Sequence, residues 1–329
     1  MLETLIISTI KVIVVFAALL TACAYLTLLE RRVVARFQSR LGPIYTGPNG
    51  LLQPVADLVK LLFKEDLIPG HVDKTIYLLA PLAAFIPATL SFVVIPFGST
   101  INLFGREINL VLSNFNVGLL YIFAVTSLGI YGVILSGWAS NSKYSLLGSI
   151  RSSAQMISYE ISMGMAVIGV VLITGSLNMN EIVKAQSGLW NIVLQPVGFL
   201  IFLICGIAET NRAPFDLPEA ESELVAGYHT EYSAMKFGMF FVGEYANIIT
   251  ISAIAATLYL GGWQGPTDNP ILSIVWFCIK TFLFVFFYLW LRATTPRFRY
   301  DQLMNFGWKI LLPLAIANLL VTALVVLLT

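Results

Sequence analysis

Charged side chains are scarce in this sequence. Only 11% of its 329 residues are Asp, Glu, Lys or Arg, and 58% are apolar, whereas a soluble globular domain has about a quarter of its residues charged. The formal net charge is +1, so the chain has no overall attraction to nucleic acid, and we expect no nucleic-acid partner. This composition predicts an integral membrane protein that contacts lipid.

Residues that ligate metals are also rare. The three cysteines, Cys23, Cys205 and Cys278, lie far apart, and the sequence contains neither a CxxC pair nor a Cys/His cluster. An iron–sulfur cluster or a zinc site therefore cannot be built from this chain alone. The two histidines, His71 and His229, fall in predicted loops, where they cannot hold a haem between membrane spans. We expect no metal, flavin or haem on this chain.

Long apolar runs, by contrast, recur along the whole chain. A helix needs about 20 apolar residues to cross roughly 30 Å of hydrocarbon. Eight stretches qualify, at about residues 5–29, 78–97, 114–136, 156–175, 191–209, 237–260, 271–291 and 308–328. The sequence therefore predicts one all-α membrane domain, residues 1–329, with eight transmembrane helices. The first apolar run is followed by Glu30 and Arg31 rather than by a cleavage site, so we expect a retained span.

The positive charges are distributed unevenly between the predicted loops. Nearly all of the loop lysines and arginines fall in the first, third, fifth and seventh loops, and the other loops have only Arg106 and Lys184. Loops rich in Lys and Arg face the cytoplasm. We therefore expect the four odd loops to be cytoplasmic and both termini to lie on the opposite side of the membrane.

The first loop contains a short amphipathic segment at about residues 51–64. One helical face would carry Leu51, Leu52, Val55, Leu58, Val59 and Leu62, and the other Gln53, Asp57, Lys60 and Lys64. The segment is too short to span a bilayer. It is predicted to be a helix on the cytoplasmic side, which either lies in the headgroup plane, the interpretation that we favour, or packs against a neighbouring subunit.

The fifth loop, at about residues 210–236, is acidic. The stretch AETNRAPFDLPEAESELVAGYHTEY has one cation, Arg212, and the six carboxylates Glu209, Asp216, Glu219, Glu221, Glu223 and Glu231. Two more acids, Glu160 and Glu244, lie inside apolar spans, and Glu30 and Glu209 close the first and fifth spans. By the predicted topology, all of these acids lie in the cytoplasmic half of the membrane.

Acids inside a membrane are costly, so each of them needs an explanation. Closely spaced carboxylates in a poor dielectric cannot all remain ionised, which would allow them to carry protons as a coupled set. The alternative is a carboxylate that reaches the interface or pairs with an arginine. For Glu30, beside Arg31, the two explanations are equally good. For Glu244, about two turns inside its span, we favour the functional one. Lys280, near the middle of the seventh span, is predicted to pair with a carboxylate or to belong to a proton path.

Five motifs in order carry a family resemblance. They are LLERRVVARFQSRLGP, GPNGLLQPVADLVKLLFKED, the acidic stretch, FFVGEYANII and RATTPRFRYDQLMNFGWKILLPL. Together they resemble the membrane subunit at the quinone chamber of proton-pumping NADH:quinone oxidoreductase, respiratory complex I, which is the H-type subunit of the bacterial enzyme. The similarity extends over nearly the whole chain.

The resemblance implies a place in the bacterial plasma membrane, where the hydrophilic and membrane arms of the complex meet. It implies a tunnel for a long isoprenoid quinone near Arg31, Arg40, Asp57 and Glu65. It also implies an acidic channel that couples quinone reduction to proton translocation, made of Glu160, Glu209, Asp216, Glu219, Glu221, Glu223, Glu231 and Glu244. Implied partners are quinone, lipid, the hydrophilic quinone-site and iron–sulfur subunits, small membrane subunits and antiporter-like subunits. The redox centres would belong to those other subunits.

Two alternatives remain open from the sequence. The first is a free-standing ion or proton transporter, which would also explain buried acids but would leave the loop motifs without partners. The second is the equivalent subunit of a related membrane-bound hydrogenase or of a dehydrogenase with another electron donor, because the donor binds other chains. The quoted motifs fit the quinone-reducing branch best.

Overall fold

Helices make up most of the structure, a computed structural model that describes residues 2–103, 106–216, 226–267 and 269–328. The α-helices, numbered here in chain order, are α1 (Leu2–Phe37), α2 (Gln53–Phe63), α3 (Lys74–Leu90), α4 (Gly118–Ala139), α5 (Lys143–Thr174), α6 (Met179–Ala185), α7 (Asn191–Leu194), α8 (Pro196–Glu209), α9 (Ala234–Tyr259), α10 (Pro270–Thr294), α11 (Tyr300–Phe306) and α12 (Leu312–Leu328). A π-helical turn, Gly307–Leu311, joins α11 to α12, and short 3₁₀ turns lie at Pro48–Gly50, Ser91–Val93 and Gly227–His229.

Seven helical segments in the described residues are long and apolar enough to cross a membrane. They are Ile6–Phe37, Lys74–Val93, Gly118–Ala139, Lys143–Thr174, Ala234–Tyr259, Pro270–Thr294 and Tyr300–Leu328. This agrees with the prediction of an all-α membrane protein. The predicted fifth span, at about 191–209, is divided at Gln195 into α7 and the 14-residue helix α8. Helix α8 alone is about 21 Å long, which is less than the hydrocarbon thickness.

Several helices extend beyond the predicted spans by one turn or more. Helix α1 continues to Phe37 rather than ending near residue 29, and α5 begins at Lys143 rather than near residue 156. The apolar count stops at polar residues, but a helix continues through them because its backbone bonds are local. In α5 these polar residues include the buried serines Ser145, Ser149 and Ser152. Consequently Glu160 lies near the middle of α5 rather than one turn from its start.

The second loop contains an element that the all-α prediction lacks. Strands β1 (Thr100–Leu103) and β2 (Arg106–Asn109) pair antiparallel, with Thr100 opposite Asn109. The amine of Lys11, near the start of α1, donates to the carbonyl oxygen of Asn109 at 2.7 Å. The hairpin and the N-terminal part of α1 therefore lie at the same end of the bundle.

Helix α9 is the central helix of the bundle. In the most apolar stretch of 18 residues of α9, 67% of the residues are buried. In the other candidate spans the corresponding fraction is 17–44%. Helix α9 contacts α3, α10 and α1. Helices α3 and α4 approach closely at Gly132, where an added Cβ would lie 2.5 Å from the backbone nitrogen of Ala84. The acid of α9, Glu244, is consequently surrounded by other helices.

The loops contact one another in two sets. At one end, the side chain of Asn141 donates to the carbonyl oxygen of His71 at 3.2 Å. At the same end, the backbone nitrogen of Phe298 donates to the carbonyl oxygen of Pro214 at 3.1 Å. The backbone nitrogen of Leu67 donates to the hydroxyl of Ser233 at 3.2 Å, which links the first loop to the fifth. The first, third, fifth and seventh loops therefore share this end. At the other end, Gln264 donates to the carbonyl oxygen of Val183 at 2.6 Å. This arrangement agrees with the alternation of loops on which the predicted orientation depends.

Helix α2 attaches to the bundle through its polar side. Asp57 pairs with Arg31 of α1 at 2.7 Å, and Gln53 donates to Asp57 at 2.9 Å. Leu61 lies close to Gly238 of α9. The predicted apolar face is exposed in the isolated chain, including Leu51, Leu52, Val55, Leu58, Val59 and Leu62.

Candidate functional site: a buried ion-pair network beside an apolar groove

A buried arginine lies at the centre of a cluster of charged residues at the end of the bundle where the first, third, fifth and seventh loops lie. Arg212 follows α8 and is 3% exposed. Its guanidinium Nε lies 2.6 Å from Oε1 of Glu244 in α9, and its Nη1 lies 3.3 Å from Oε1 of Glu30 in α1. The same guanidinium lies over the ring of Tyr245, 4.7 Å from the ring centroid. One cation thus joins three parts of the fold.

Glu30 has further partners in this network. Its carboxylate pairs with Arg292 near the end of α10 and accepts a hydrogen bond from the hydroxyl of Tyr245 at 2.7 Å. The network therefore ties α1, the segment after α8, α9 and α10 together. A buried carboxylate needs such partners to remain ionised.

The structure gives partners to two acids that the sequence left open. Glu244 forms an ion pair with Arg212 of the fifth loop, and its functional role stays a prediction. For Glu30, the structure supports the pairing explanation, although its partners are Arg212 and Arg292 rather than its neighbour Arg31. The sequence missed Arg292 and Tyr245. For Tyr245 a signal existed, since it directly follows Glu244.

Glu160 and Glu209 form a second group of acids, whose charges are compensated less than those of Glu30 and Glu244. Glu160 is half-buried and accepts a hydrogen bond from Ser127 of α4. Glu209, at the end of α8, is buried, and its Oε2 has no hydrogen-bond partner among the described residues. The two carboxylates are close enough to interact electrostatically. A buried carboxylate with an unsatisfied oxygen gains more from protonation than one held by an arginine.

The acidic loop is described only at its two ends. Asp216 is buried and pairs with Arg297 of the seventh loop at 3.2 Å. At the other end, Glu231 Oε2 lies 3.9 Å from Nε2 of His71, and the backbone carbonyl of Glu231 accepts from the hydroxyl of Tyr77 at 2.7 Å. The three remaining predicted residues, Glu219, Glu221 and Glu223, lie outside the described residues.

His229 is buried among aromatic rings, near Arg212. Its ring centroid is 5.3 Å from that of Phe240 and 3.8 Å from that of Tyr228. Burial, assisted by the charge of Arg212, lowers the pKa of His229 from 6.5 to about 3. The imidazole is therefore neutral at physiological pH.

The four residues expected near a quinone tunnel are not brought into one cluster. Arg31 and Asp57 form the ion pair between α1 and α2. Arg40 donates to Gln38 at 2.9 Å, and Glu65 is exposed after the end of α2.

An apolar groove of about 970 Å³ runs along the first helix. Residues of α1 from Ile7 to Leu29 form one side of the groove. The other side is formed by residues of α9, of α10 and of the segment between α3 and α4. At 1.5 Å per residue, this stretch of α1 is about 33 Å long. The groove ends at Leu29, directly before Glu30 of the ion-pair network.

Lys280 is held by backbone carbonyls in the described structure. Its amine donates to the carbonyl oxygens of Leu260, Gly262 and Gln264, at 2.6, 3.1 and 2.6 Å, and lies 4.8 Å from the ring centroid of Trp190. These carbonyls follow the C-terminus of α9, where a cation is favoured. The three hydrogens of the amine thus have three neutral acceptors rather than the carboxylate that was one of the two predictions. The other prediction, a place in a proton path, stays a prediction.

Comparison with known proteins decides the family. The sequence profile of the NADH dehydrogenase family matches residues 10–323. The chain belongs to this family. Among its relatives are H-type subunits of NADH-quinone oxidoreductase from three bacteria. That of Geobacter metallireducens is 57% identical over 95% of this chain and 94% of the relative. Those of Koribacter versatilis and Thermomicrobium roseum are 54% and 51% identical, each over 98% of this chain and 97% of the relative.

The family match confirms the resemblance inferred from the five motifs. A member of this family is a subunit of an enzyme complex. Within the described residues, no group of three or more His, Cys, Asp or Glu side chains could hold a metal ion. Apolar grooves of this kind can bind apolar molecules, and carboxylates in a poorly solvated site can bind and release protons.

Proposed function

We propose that this chain is the membrane subunit of a proton-pumping NADH:quinone oxidoreductase that forms part of the quinone tunnel and the first part of an acidic channel for proton coupling. The observation that carries the proposal is the apolar groove that ends beside the buried network of Glu30, Arg212 and Glu244. A quinone in the groove would therefore lie next to ionisable groups that respond to its charge.

The groove suits an isoprenoid chain. Its wall from α1 is about 33 Å long, and its lining is almost entirely apolar, with Lys11 at the end away from Glu30. Burial of apolar surface gives such a ligand about 25 cal/mol per Å². We assign Arg31, Arg40, Asp57 and Glu65 to the mouth of the tunnel on the side of α2. The binding site for the headgroup would be completed by a neighbouring hydrophilic subunit.

The acids provide a route for a charge change at the quinone. Reduction of a quinone demands protons, and a negative charge at the end of the groove would act first on Arg212 and its two carboxylates. We propose that this change is passed on to Glu209 and Glu160, and that the loop acids Asp216, Glu219, Glu221, Glu223 and Glu231 supply protons from the cytoplasmic side. Antiporter-like subunits would receive the signal.

The proposed topology places eight spans in the bacterial plasma membrane. Helices α7 and α8 together would form the fifth span, and both termini would lie on the non-cytoplasmic side. Helix α2 would lie in the cytoplasmic headgroup plane with its exposed leucines and valines toward lipid. The remaining partners would be the hydrophilic quinone-site and iron–sulfur subunits and the small membrane subunits.

The test neutralises the two central acids without changing their shape. We expect Glu209→Gln and Glu244→Gln each to lower quinone reductase activity and proton translocation at least about tenfold, because each removes a group that can bind and release a proton in a poorly solvated site. Oxidation of NADH by ferricyanide, which needs only the hydrophilic arm, should be unchanged. Glu181→Gln, an exposed acid at the start of α6, is the matched control. Full coupled turnover in both variants would contradict the proposal.

A further inference from the structure

One buried glutamine holds the segment that carries three of the charged groups. Gln155 of α5 is 0% exposed. Its Nε2 donates to the carbonyl oxygen of Ala208 at 2.7 Å and to that of Phe215 at 2.9 Å, and it lies 3.4 Å from Oδ1 of Asn211. The side chain thus spans the end of α8 and the start of the acidic loop.

The orientation of this amide follows from its partners. Two backbone carbonyl oxygens can only accept hydrogen bonds, so the amide nitrogen of Gln155 must face them. Asn211, between them, has a left-handed backbone with φ of 50°, a conformation that Asn tolerates better than most residues. The hydroxyl of Ser152, one turn earlier on α5, donates to Asn211 at 3.3 Å. Helix α5 therefore fixes a sharp turn directly after α8.

Three charged residues depend on the shape of this turn. Glu209, Arg212 and Asp216 lie within it or at its ends, and Arg212 and Asp216 reach partners on other elements. Phe215 also packs against Tyr159 of α5, with ring centroids 5.7 Å apart. A shift of this turn would move the guanidinium of Arg212 away from both of its carboxylates, because an ion pair at 2.6 Å tolerates little displacement.

We propose that Gln155 is a positioning residue for proton coupling, which sets the turn at 208–216 so that Arg212 and Glu209 face the groove network and Glu160. In the described contacts it touches no carboxylate and acts through the backbone. The inference rests on the proposed coupling function of this segment. It adds a neutral residue of α5 to a set of groups otherwise recognised by their charge.

Two substitutions at Gln155 test the inference in the assembled enzyme. Gln155→Leu has a similar size but no donor, so we expect quinone reductase activity per assembled complex to fall about tenfold, the effect of losing one to two hydrogen bonds that position a reacting group. Gln155→Glu can donate to a carbonyl only when protonated. Its activity relative to the wild type should therefore be highest at low pH and fall as the pH rises.

The matched control is a second buried glutamine at the opposite end of the bundle. Gln186 is 1% exposed, donates to the carbonyl oxygens of Ile182 and Thr257, and accepts from the backbone nitrogens of Asn191 and Gly261. Gln186→Leu should reduce the amount of assembled enzyme, measured as NADH:ferricyanide activity in membranes. It should leave quinone reductase activity per assembled complex unchanged.

The outcomes separate this inference from the proposed function. Equal turnover per assembled complex in Gln155→Leu and Gln186→Leu would overturn the inference, as would a Gln155→Glu profile parallel to that of the wild type. If Gln155→Leu fails to assemble, the pH profile of Gln155→Glu decides. Impaired Glu209→Gln and Glu244→Gln with unimpaired Gln155 variants would remove only the inference. Unimpaired glutamate variants would remove the proposed function.

Discussion

Two buried cations are stabilised in different ways at opposite ends of the bundle. Arg212 is 3% exposed and is held by the carboxylates of Glu30 and Glu244. Lys280 is 8% exposed and is held by three backbone carbonyls at the end of α9. Both sites satisfy the rule that a buried charge needs close partners of opposite polarity.

The two sites differ in whether the partners of the cation can change their charge. Carboxylates can be protonated, so the interactions of Arg212 depend on the charge state of its surroundings. Backbone carbonyls have no titration, so the environment of Lys280 is permanent. We infer that the Arg212 end is built to respond to protons and quinone charge, whereas the Lys280 end is built to hold α9 and α10 together.

Removal of Arg212 should have the largest effect. Arg212→Met leaves Glu30 and Glu244 without their shared cation, and breaking a buried pair on one side costs about 3–5 kcal/mol. We expect loss of quinone reductase activity by at least about a hundredfold, together with reduced assembly. Arg299→Met, at a side chain that is 76% exposed, is the matched control. Near-normal turnover in Arg212→Met would mean that the network does not support coupling.

Removal of Lys280 should affect stability rather than turnover. Lys280→Met leaves three carbonyl oxygens without their donor, which costs about 1–3 kcal/mol for an unsatisfied buried group. We expect a lower temperature of inactivation, with quinone reductase activity and proton translocation per assembled complex retained. Lys184→Met, at an exposed lysine of α6, provides the comparison. If translocation is lost while assembly is normal, Lys280 belongs to the proton path that the sequence suggested.

The sequence predicted the spans and acids better than their contacts. Apolar runs of about 20 residues and the separation of basic loops are local signals, and they located most of the helices. The pairing of Arg212 with Glu30 and Glu244 joins residues far apart in the chain, and no local pattern encodes such a contact. The extension of α5 to Lys143 was missed for a related reason. Its serines face other helices rather than water, and that burial cannot be judged from one segment alone.

The buried His229 provides a pH-dependent test of the end of the bundle that contains Arg212, with a smaller expected effect. The pKa of His229 is lowered from 6.5 to about 3 by burial and by Arg212. The unfolded state therefore binds a proton that the folded state rejects, so stability is complete above about pH 6.5 and declines as the pH falls toward 3. At pH 5 the loss is at most about 2 kcal/mol.

Replacement of this histidine should therefore weaken the acid sensitivity. We expect membranes with His229→Gln to lose activity more slowly than the wild type at pH 5, relative to each enzyme at pH 7. His71→Gln, in the exposed part of the first loop, should retain the acid sensitivity of the wild type. Parallel inactivation of the wild type and His229→Gln would show that this residue does not contribute to acid lability.

The exposed ion pair between α1 and α2 should have the smallest effect. The side chains of Arg31 and Asp57 are 49% and 28% exposed, and such pairs contribute about 0–1 kcal/mol because water screens them. In a double-mutant cycle of Arg31→Gln and Asp57→Asn, followed by thermal inactivation, we expect a coupling energy below about 1 kcal/mol. High salt should reduce it further. A coupling energy above about 2 kcal/mol would place this pair with Arg212 among the strongly interacting charges, and would indicate that α2 is held on the bundle by electrostatics rather than by lipid.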